Sequence, residues 1–303
     1  MSNKWIELPS ADAHAVDVAR LALDARFSRV ERFLPLAAYQ YQEDIEHVHQ
    51  LRTSCRRAGA ALEAFRPLMG KKPKELRKLL RRIHKSAGPA RDTDVLLSRC
   101  KENPPTEGNH DDLIAQLTAQ RKCVQPALVK VAKNSRLRKL RRQIQLILAS
   151  LKRGEREAQQ LSFATFARKA IQVASQDVFR IPDSGQLTVA QLHKLRIAGK
   201  RLRYSIELFH GAFPPEMRRE IYPVIEELQT RLGRLNDHAT AQAMYQGWLA
   251  ELPPGQRAAD LARRIVAEYD ATIEDRREFL DWWATGRATT LESHLKVLLR
   301  SSK

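Results

Sequence analysis

The sequence predicts an all-α fold made of two pseudo-symmetric helical bundles, about four or more helices each. Three observations predict it. Apolar residues recur at three- and four-residue spacing over most of the 303 positions, with no sustained strand-like alternation. Twelve glycines and fourteen prolines punctuate the chain at intervals that suit helices. One basic helix occurs twice, as HVHQLRTSCRRAGAALEAF from His47 and as QLHKLRIAGKRLRYSIELF from Gln191. Hydrophobic residues make up 43 % of the chain, enough to bury a core of Leu, Ala, Ile and Val.

The elements follow in chain order. LPLAAYQYQ is expected to interrupt the first helix near Pro35. A second helix starts near Gln42 and ends at PLMGKKP. Pro73 suits the first turn of the next, over about 74–86, where Leu76, Leu79, Leu80 and Ile83 form the apolar stripe and SAGPARD stops the helix at Gly88. KENPPTEGNHDD reads as a loop. Leu137, Leu140, Ile144, Ile147, Leu148 and Leu151 mark one face of a helix over 128–151, most of whose arginines and lysines are expected to face water, with one or two reaching a ligand. RIPDSGQLT separates a helix over 162–179 from one beginning near Thr188, which HGAFPP ends. Its successor, near 216–232, closes at LGRLND. Helices over about 256–284 and 290–299 complete a set of ten to twelve. DWW at Asp281 to Trp283 reads as buried core.

The net charge is +18. Lys and Arg outnumber Asp and Glu by 14 to 4 over residues 51–100, 10 to 4 over 101–150 and 9 to 4 over 151–200, but only balance them, 15 to 15, over 201–303. A basic middle on a neutral frame suits a polyanion-binding surface. Cys55, Cys100 and Cys123 have no CxxC spacing, so neither a disulfide scaffold nor a zinc site is expected, and a reducing cytoplasm is. The first residues lack the pattern of a signal peptide, and no apolar run reaches the ~18 residues of a membrane span.

The repeat extends beyond its two basic helices. His49 matches His193, and Arg52 matches Arg196. Arg56 likewise matches Lys200, Arg57 matches Arg201, Glu63 matches Glu207 and Phe65 matches Phe209, and one residue further out of step Gly88 matches Gly233 and Asp92 matches Asp237. We read a single domain over 1–303, with half-repeats of about 11–154 and 155–300 joined near residue 155. His49, Arg52 and Arg56 fall on one helical face, as do His193, Arg196, Lys200 and Arg203, each row about 10–15 Å long. Lys74, Lys78, Arg81 and Lys85, with Arg82 beside them, make a third row. Two such rows brought together would wall a basic groove for a linear chain of phosphates. The counterpart of the third row is diluted by Glu216, Glu220, Glu226 and Glu227, so the first half is expected to attract anions more strongly. A phosphate near His49 and His193 would favour their cationic form, so binding is expected to strengthen below about pH 6.5. Asp92, Asp94, Asn236 and Asp237 are expected to cap helices or hold basic side chains, since carboxylates repel phosphate.

VHQLRTSCRR, GPARDTDV, LHKLRIAGKRLRY and LGRLND together resemble the CHAD domain, the conserved histidine α-helical domain, over about residues 11 to 300. The resemblance implies two bundles around a central basic groove or cavity, binding inorganic polyphosphate; from the residues themselves no catalysis, cofactor or metal is expected. It also implies a place at cytoplasmic polyphosphate granules, and partners among CYTH-type triphosphatases or granule proteins. The residues expected to bind polyphosphate are His49, Arg52, Arg56 and Arg57; Lys74, Lys78, Arg81, Arg82 and Lys85; and His193, Arg196, Lys200, Arg201 and Arg203.

Nucleic acid is the alternative partner, because a basic face reads any phosphate backbone. Only Tyr204 stands within the basic repeats, whereas single-strand binders interleave several stacking aromatics. The sequence has no HExxH and no Walker loop, and an enzyme is not expected.

Overall fold

The computed structural model describes residues 4–70, 73–102, 110–152, 160–181, 187–284 and 286–300. Among them are eleven α-helices and no strand beyond one isolated bridge. The first unit holds α1 (Ala15–Tyr39), α2 (Glu46–Ala64), α3 (Lys74–Ser86), α4 (Gly88–Glu102), α5 (His110–Ala132) and α6 (Asn134–Ser150). The second holds α7 (Phe163–Phe179), α8 (Val189–Phe209), α9 (Tyr222–Leu249), α10 (Gln256–Ala284) and α11 (Arg287–Arg300). The expected junction near residue 155, and most of the loops in KENPPTEGNHDD and RIPDSGQLT, lie outside the described residues.

Two expected breaks are not breaks. Pro35 lies inside α1, one turn before its end, where it forfeits a single backbone hydrogen bond. Burial of Leu34, Ala37 and Ala38 around it keeps the turn helical. LGRLND does not end a helix either: α9 runs through Gly233 to Leu249. Its counterparts in the first unit, α3 and α4, are separated by Ala87 alone. The chain's start caps are as the residue types dictate. Thr188 and Gln191 form a reciprocal capping box at the head of α8, and Ser162 accepts from Thr165 N at the head of α7.

The core crosses from one unit to the other. Phe65 and Phe209, one repeat apart, meet edge to face with ring centroids 5.4 Å apart, and Phe166 stacks on Phe65 at 5.7 Å. A smaller cluster joins Leu96, Cys100, Leu113 and Leu117 of the first unit to Ala241, Tyr245 and Leu261 of the second. The heads of α1 and α7 pair through their backbones, with Ala15 N donating to Leu161 O and Phe163 N to Ala13 O. Trp283 is buried, as expected of DWW, while the guanidiniums of Arg231 and Arg287 lie 5.1 and 4.9 Å from the centroid of the Trp282 ring.

A buried ion pair ties the two units. Arg57 of α2 donates from Nε to Glu207 Oε2 of α8 at 2.5 Å, and from Nη2 to Oε1 at 3.2 Å; Tyr222 Oη donates to the same Oε1 at 2.9 Å. Arg57 is 7 % exposed and Glu207 is fully buried.

Candidate functional site

Helix α2 packs against α3 and α4 and crosses α8, and α8 in turn packs on α9. The helical period sets Arg52 and Arg56 one turn apart on α2, and Arg196, Lys200 and Arg203 on successive turns of α8. The crossing turns these two rows toward each other. The last turn of α3 adds His84, and the N-terminal part of α4 adds Arg91 and Asp92. Helix α9 contributes Gln229 and Asp237.

Two close approaches make room for this gathering. A side chain on Gly88 would come within 2.9 Å of Arg52 Nη1, whose guanidinium donates to His84 O at 3.3 Å and so caps the negative end of α3. A Cβ on Gly199 would come within 2.4 Å of Gln229 Nε2 and 2.7 Å of Leu228 Cδ2. Gln229 Nε2 donates to Arg196 O at 3.3 Å across the same contact. Gly199→Ala is therefore expected to cost about 1–3 kcal/mol of overpacking, read as a lowered urea midpoint. An unchanged midpoint would show that α8 and α9 part without penalty.

The cluster is largely buried, and its cations act on one another. Burial, and then the charges of Arg196, Arg56, Arg203 and Arg52, push Lys200 down to about 7. Burial, with Arg52, Arg56 and Lys200 behind it, takes His84 to about 3, so its imidazole is neutral. Burial also lowers Arg52 and Arg196, against the opposing pull of Asp92 and Asp237 respectively. Asp92 itself is raised by burial, in spite of Arg52. Asp92 and Asp237 line one small cavity of about 20 Å³ between α4 and α9, and neither forms an ion pair among the described residues. Asp94 does, accepting from Arg121 Nε at 2.6 Å.

Positive charge is thus in excess, and its donors are not used up. Arg56 Nε, His84 Nε2 and Arg196 Nε are buried, with no hydrogen-bond partner among the described residues. Buried polar atoms left unpaired each cost free energy unless a ligand satisfies them.

The structure redistributes the expected site residues. Arg52, Arg56, Arg196, Lys200 and Arg203 converge. Arg57 does not join them, because Glu207 holds it in the interior. Arg201 follows Lys200 by one residue and so points away; it pairs with Asp177 at 2.7 Å and lines a cleft of about 440 Å³ with Phe166, Lys169 and Val173. His193 is exposed near the head of α8. His49 is half-buried, with Nε2 3.5 Å from Thr53 Oγ1. Burial lowers its pKa, as do Arg91, Arg56 and Arg57, while Glu46 opposes them. No interaction joins His49 to His193 among the described residues, so repeat-related histidines do not make a pair. Lys74, Lys78, Arg81, Arg82 and Lys85 all lie exposed on the outer side of α3, and only His84 of that helix reaches the cluster. The cluster therefore draws on both units, and the charge excess of the first half lies mostly on its outer surface.

Sequence reasoning missed His84, Arg91 and Gln229. His84 lies at the boundary between the apolar stripe and the basic row of α3, a position that periodicity assigns to neither. Gln229 is the residue one repeat after His84, and its amide gave no charge signal.

Comparisons with known proteins bear on the fold and the family. The chain is similar to the crystal structure of the CHAD domain from the plant Ricinus communis, with a TM-score of 0.78 at 21 % identity, covering 96 % of this chain and 95 % of that one. It is also similar to PptA from Streptomyces chartreusis, with a TM-score of 0.62 at 17 % identity, covering 91 % of this chain and 100 % of the other. Comparison with curated proteins finds no match. The family model of the CHAD domain matches residues 5–246, which is most of the chain. With two helical units meeting over a shared cation cluster and that match spanning both, the chain belongs to the CHAD-domain family, a family known to bind polyphosphate.

Proposed function

We propose that this chain binds inorganic polyphosphate without transforming it, in a basic groove whose floor is the cluster of Arg52, Arg56, His84, Arg196, Lys200 and Arg203. The observation that carries the reading is the unpaired buried donors Arg56 Nε and Arg196 Nε, with the unpartnered His84 Nε2, beside a lysine that burial and then its cationic neighbours bring down to about 7. An oxyanion satisfies those donors and relieves the repulsion at once. Arginines grip phosphate oxygens in pairs and Lys200 adds a point charge, so a flexible polymer can be held in several registers.

Nucleic acid fits less well. Tyr204, the aromatic ring within the basic repeats, is buried and accepts from Arg203 Nη2 at 3.3 Å, so it offers no face to a base. Association with polyphosphate granules in the cytoplasm, alongside CYTH-type triphosphatases or granule proteins, extends the same reading. No helix among the described residues is long and apolar enough to cross a membrane. Competition of labelled polyphosphate against DNA and RNA, at equal phosphate and near-physiological salt, tests the proposal. Polyphosphate is expected to win; displacement by nucleic acid at equal or lower concentration would overturn it. Incubation with polyphosphate and divalent metal is expected to release no phosphate.

The pH dependence should follow Lys200 rather than histidine. A bound phosphate favours the ammonium and raises its pKa from about 7 toward the ordinary 10.5, so binding takes up a proton in that window. Affinity is expected to fall by up to about tenfold per unit as pH rises above 7. Lys200→Arg, whose guanidinium stays charged, is expected to flatten the profile. The sign for stability is opposite. Without ligand, the unfolded lysine keeps its proton to higher pH than the folded one, so stability rises between pH 7 and 10.5.

A further inference from the structure

The outer row of α3 belongs to no part of the cluster, yet it starts beside it. His84 faces the cluster, and Arg81 and Lys85 lie within one turn of it on the same helix. From there Arg81, Lys78 and Lys74 continue at three- and four-residue spacing toward the head of α3, a run of about 16 Å at 1.5 Å per residue. All four side chains are exposed. Lys74, Arg81 and Lys85 have no ion-pair partner among the described residues; Lys78 meets Glu75 at 3.2 Å, a pair 73 % and 53 % exposed and hence weakly held. Arg77, on the flank nearer α2, is instead tied to Glu63 at 3.1 Å. The apolar stripe of Leu76, Leu80 and Ile83 is fully engaged in the core, so this row needs no protein partner to cover it.

We infer that the row of Lys74, Lys78, Arg81 and Lys85 is a second, outer binding track, taken up by linear polyphosphate chains long enough to leave the cluster past His84. The track rests on the reading of the cluster as a polyphosphate site and assigns the protein a chain-length preference. The two parts differ in kind. The cluster is half-buried, arginine-rich and rigidly placed, and holds a few phosphates. The track is exposed, lysine-rich and fully solvated, and adds only long-range attraction and counterion release. A short chain seated in the cluster does not reach it. A long chain spans both, and the second contact is intramolecular once the first has formed.

The test compares tripolyphosphate with a long-chain polyphosphate preparation on three proteins: wild type, K74Q/K78Q/R81Q/K85Q, and R56Q/K200Q. The α3 variant is expected to keep its tripolyphosphate affinity within about twofold. It should lose about tenfold or more for the long chain, and its slope of log affinity against log salt should be shallower by about 3, at ~0.7 for each of four cations on a single strand. The cluster variant is expected to lose affinity for both ligands. Its four positions being exposed, the α3 variant should unfold at the wild-type midpoint. Equal losses for both ligands would place α3 within the primary site and overturn the track, and so would an unchanged long-chain affinity and salt slope. A wild-type protein that binds neither chain would overturn the cluster reading and the track with it.

Discussion

Exchanging Arg56 and Lys200 together for glutamine is expected to lower polyphosphate affinity by roughly 10²–10⁴-fold while raising the unfolding midpoint. The first number follows from two hydrogen bonds to charged groups at ~1.5–3 kcal/mol each. The second follows from the repulsion already present. After burial, which is the larger cause in each case, Arg56 depresses the titration of Lys200, His84 and Arg196, and Lys200 that of His84, so both charges stand against their neighbours in the unliganded fold. A binding site of this kind is held at the expense of stability, and removing its charges releases the strain. Isothermal titration and urea unfolding on the same preparations read both signs. Lys194→Gln, exposed on another side of α8, serves as a control for the loss of a single positive charge, with little expected effect. A double variant that binds as tightly as wild type would show that the ligand sits elsewhere.

Glu207→Gln is expected to destabilise the fold by about 3–5 kcal/mol, because it strands a buried guanidinium. Arg57 loses its carboxylate, Tyr222 exchanges a charged acceptor for a neutral one, and Arg26, pushed down to about 10 by burial and then by Arg57, loses the charge that opposed both. The repeat-related Glu63 provides the contrast. It is only half-buried and pairs with two exposed arginines, Arg66 at 3.3 Å and Arg77 at 3.1 Å, so Glu63→Gln should cost less than about 1 kcal/mol. Replacing Arg57 by Met together with Glu207 by Leu should recover much of the loss, since a buried pair exchanged for apolar groups leaves no orphaned charge. A Glu207→Gln midpoint near that of wild type would mean that water reaches Arg57 and that the units are not tied there.

Much of the architecture was legible in the residues. The 3.6-residue period placed the helices, with Lys74–Ser86 and Gln256–Ala284 found almost to the residue, because each buries a single apolar stripe whose spacing is a local property. Pro35 and LGRLND misled for the converse reason. A breaker acts through one hydrogen bond or one missing side chain, and packing along a long helix outweighs it.

The cations on α2 and α8 were legible too, but not their destinations. Periodicity states which residues share a face of their own helix; it carries no information on whether that face meets water, the core or the other unit. That depends on how the helices cross, which Gly199, Gly88 and the Phe65–Phe209 contact settle by how closely they let backbones and rings approach. Hence the matched pairs part company: Arg57 is buried against Glu207, 150 positions away, while Arg201 meets Asp177 at the surface. A duplicated sequence dictated two alike bundles rich in positive charge. The assembly of those bundles sorted equivalent residues into a buried tie, a charged cluster and a solvated rim, because burial and Coulomb energy depend on distances in space that chain order does not encode.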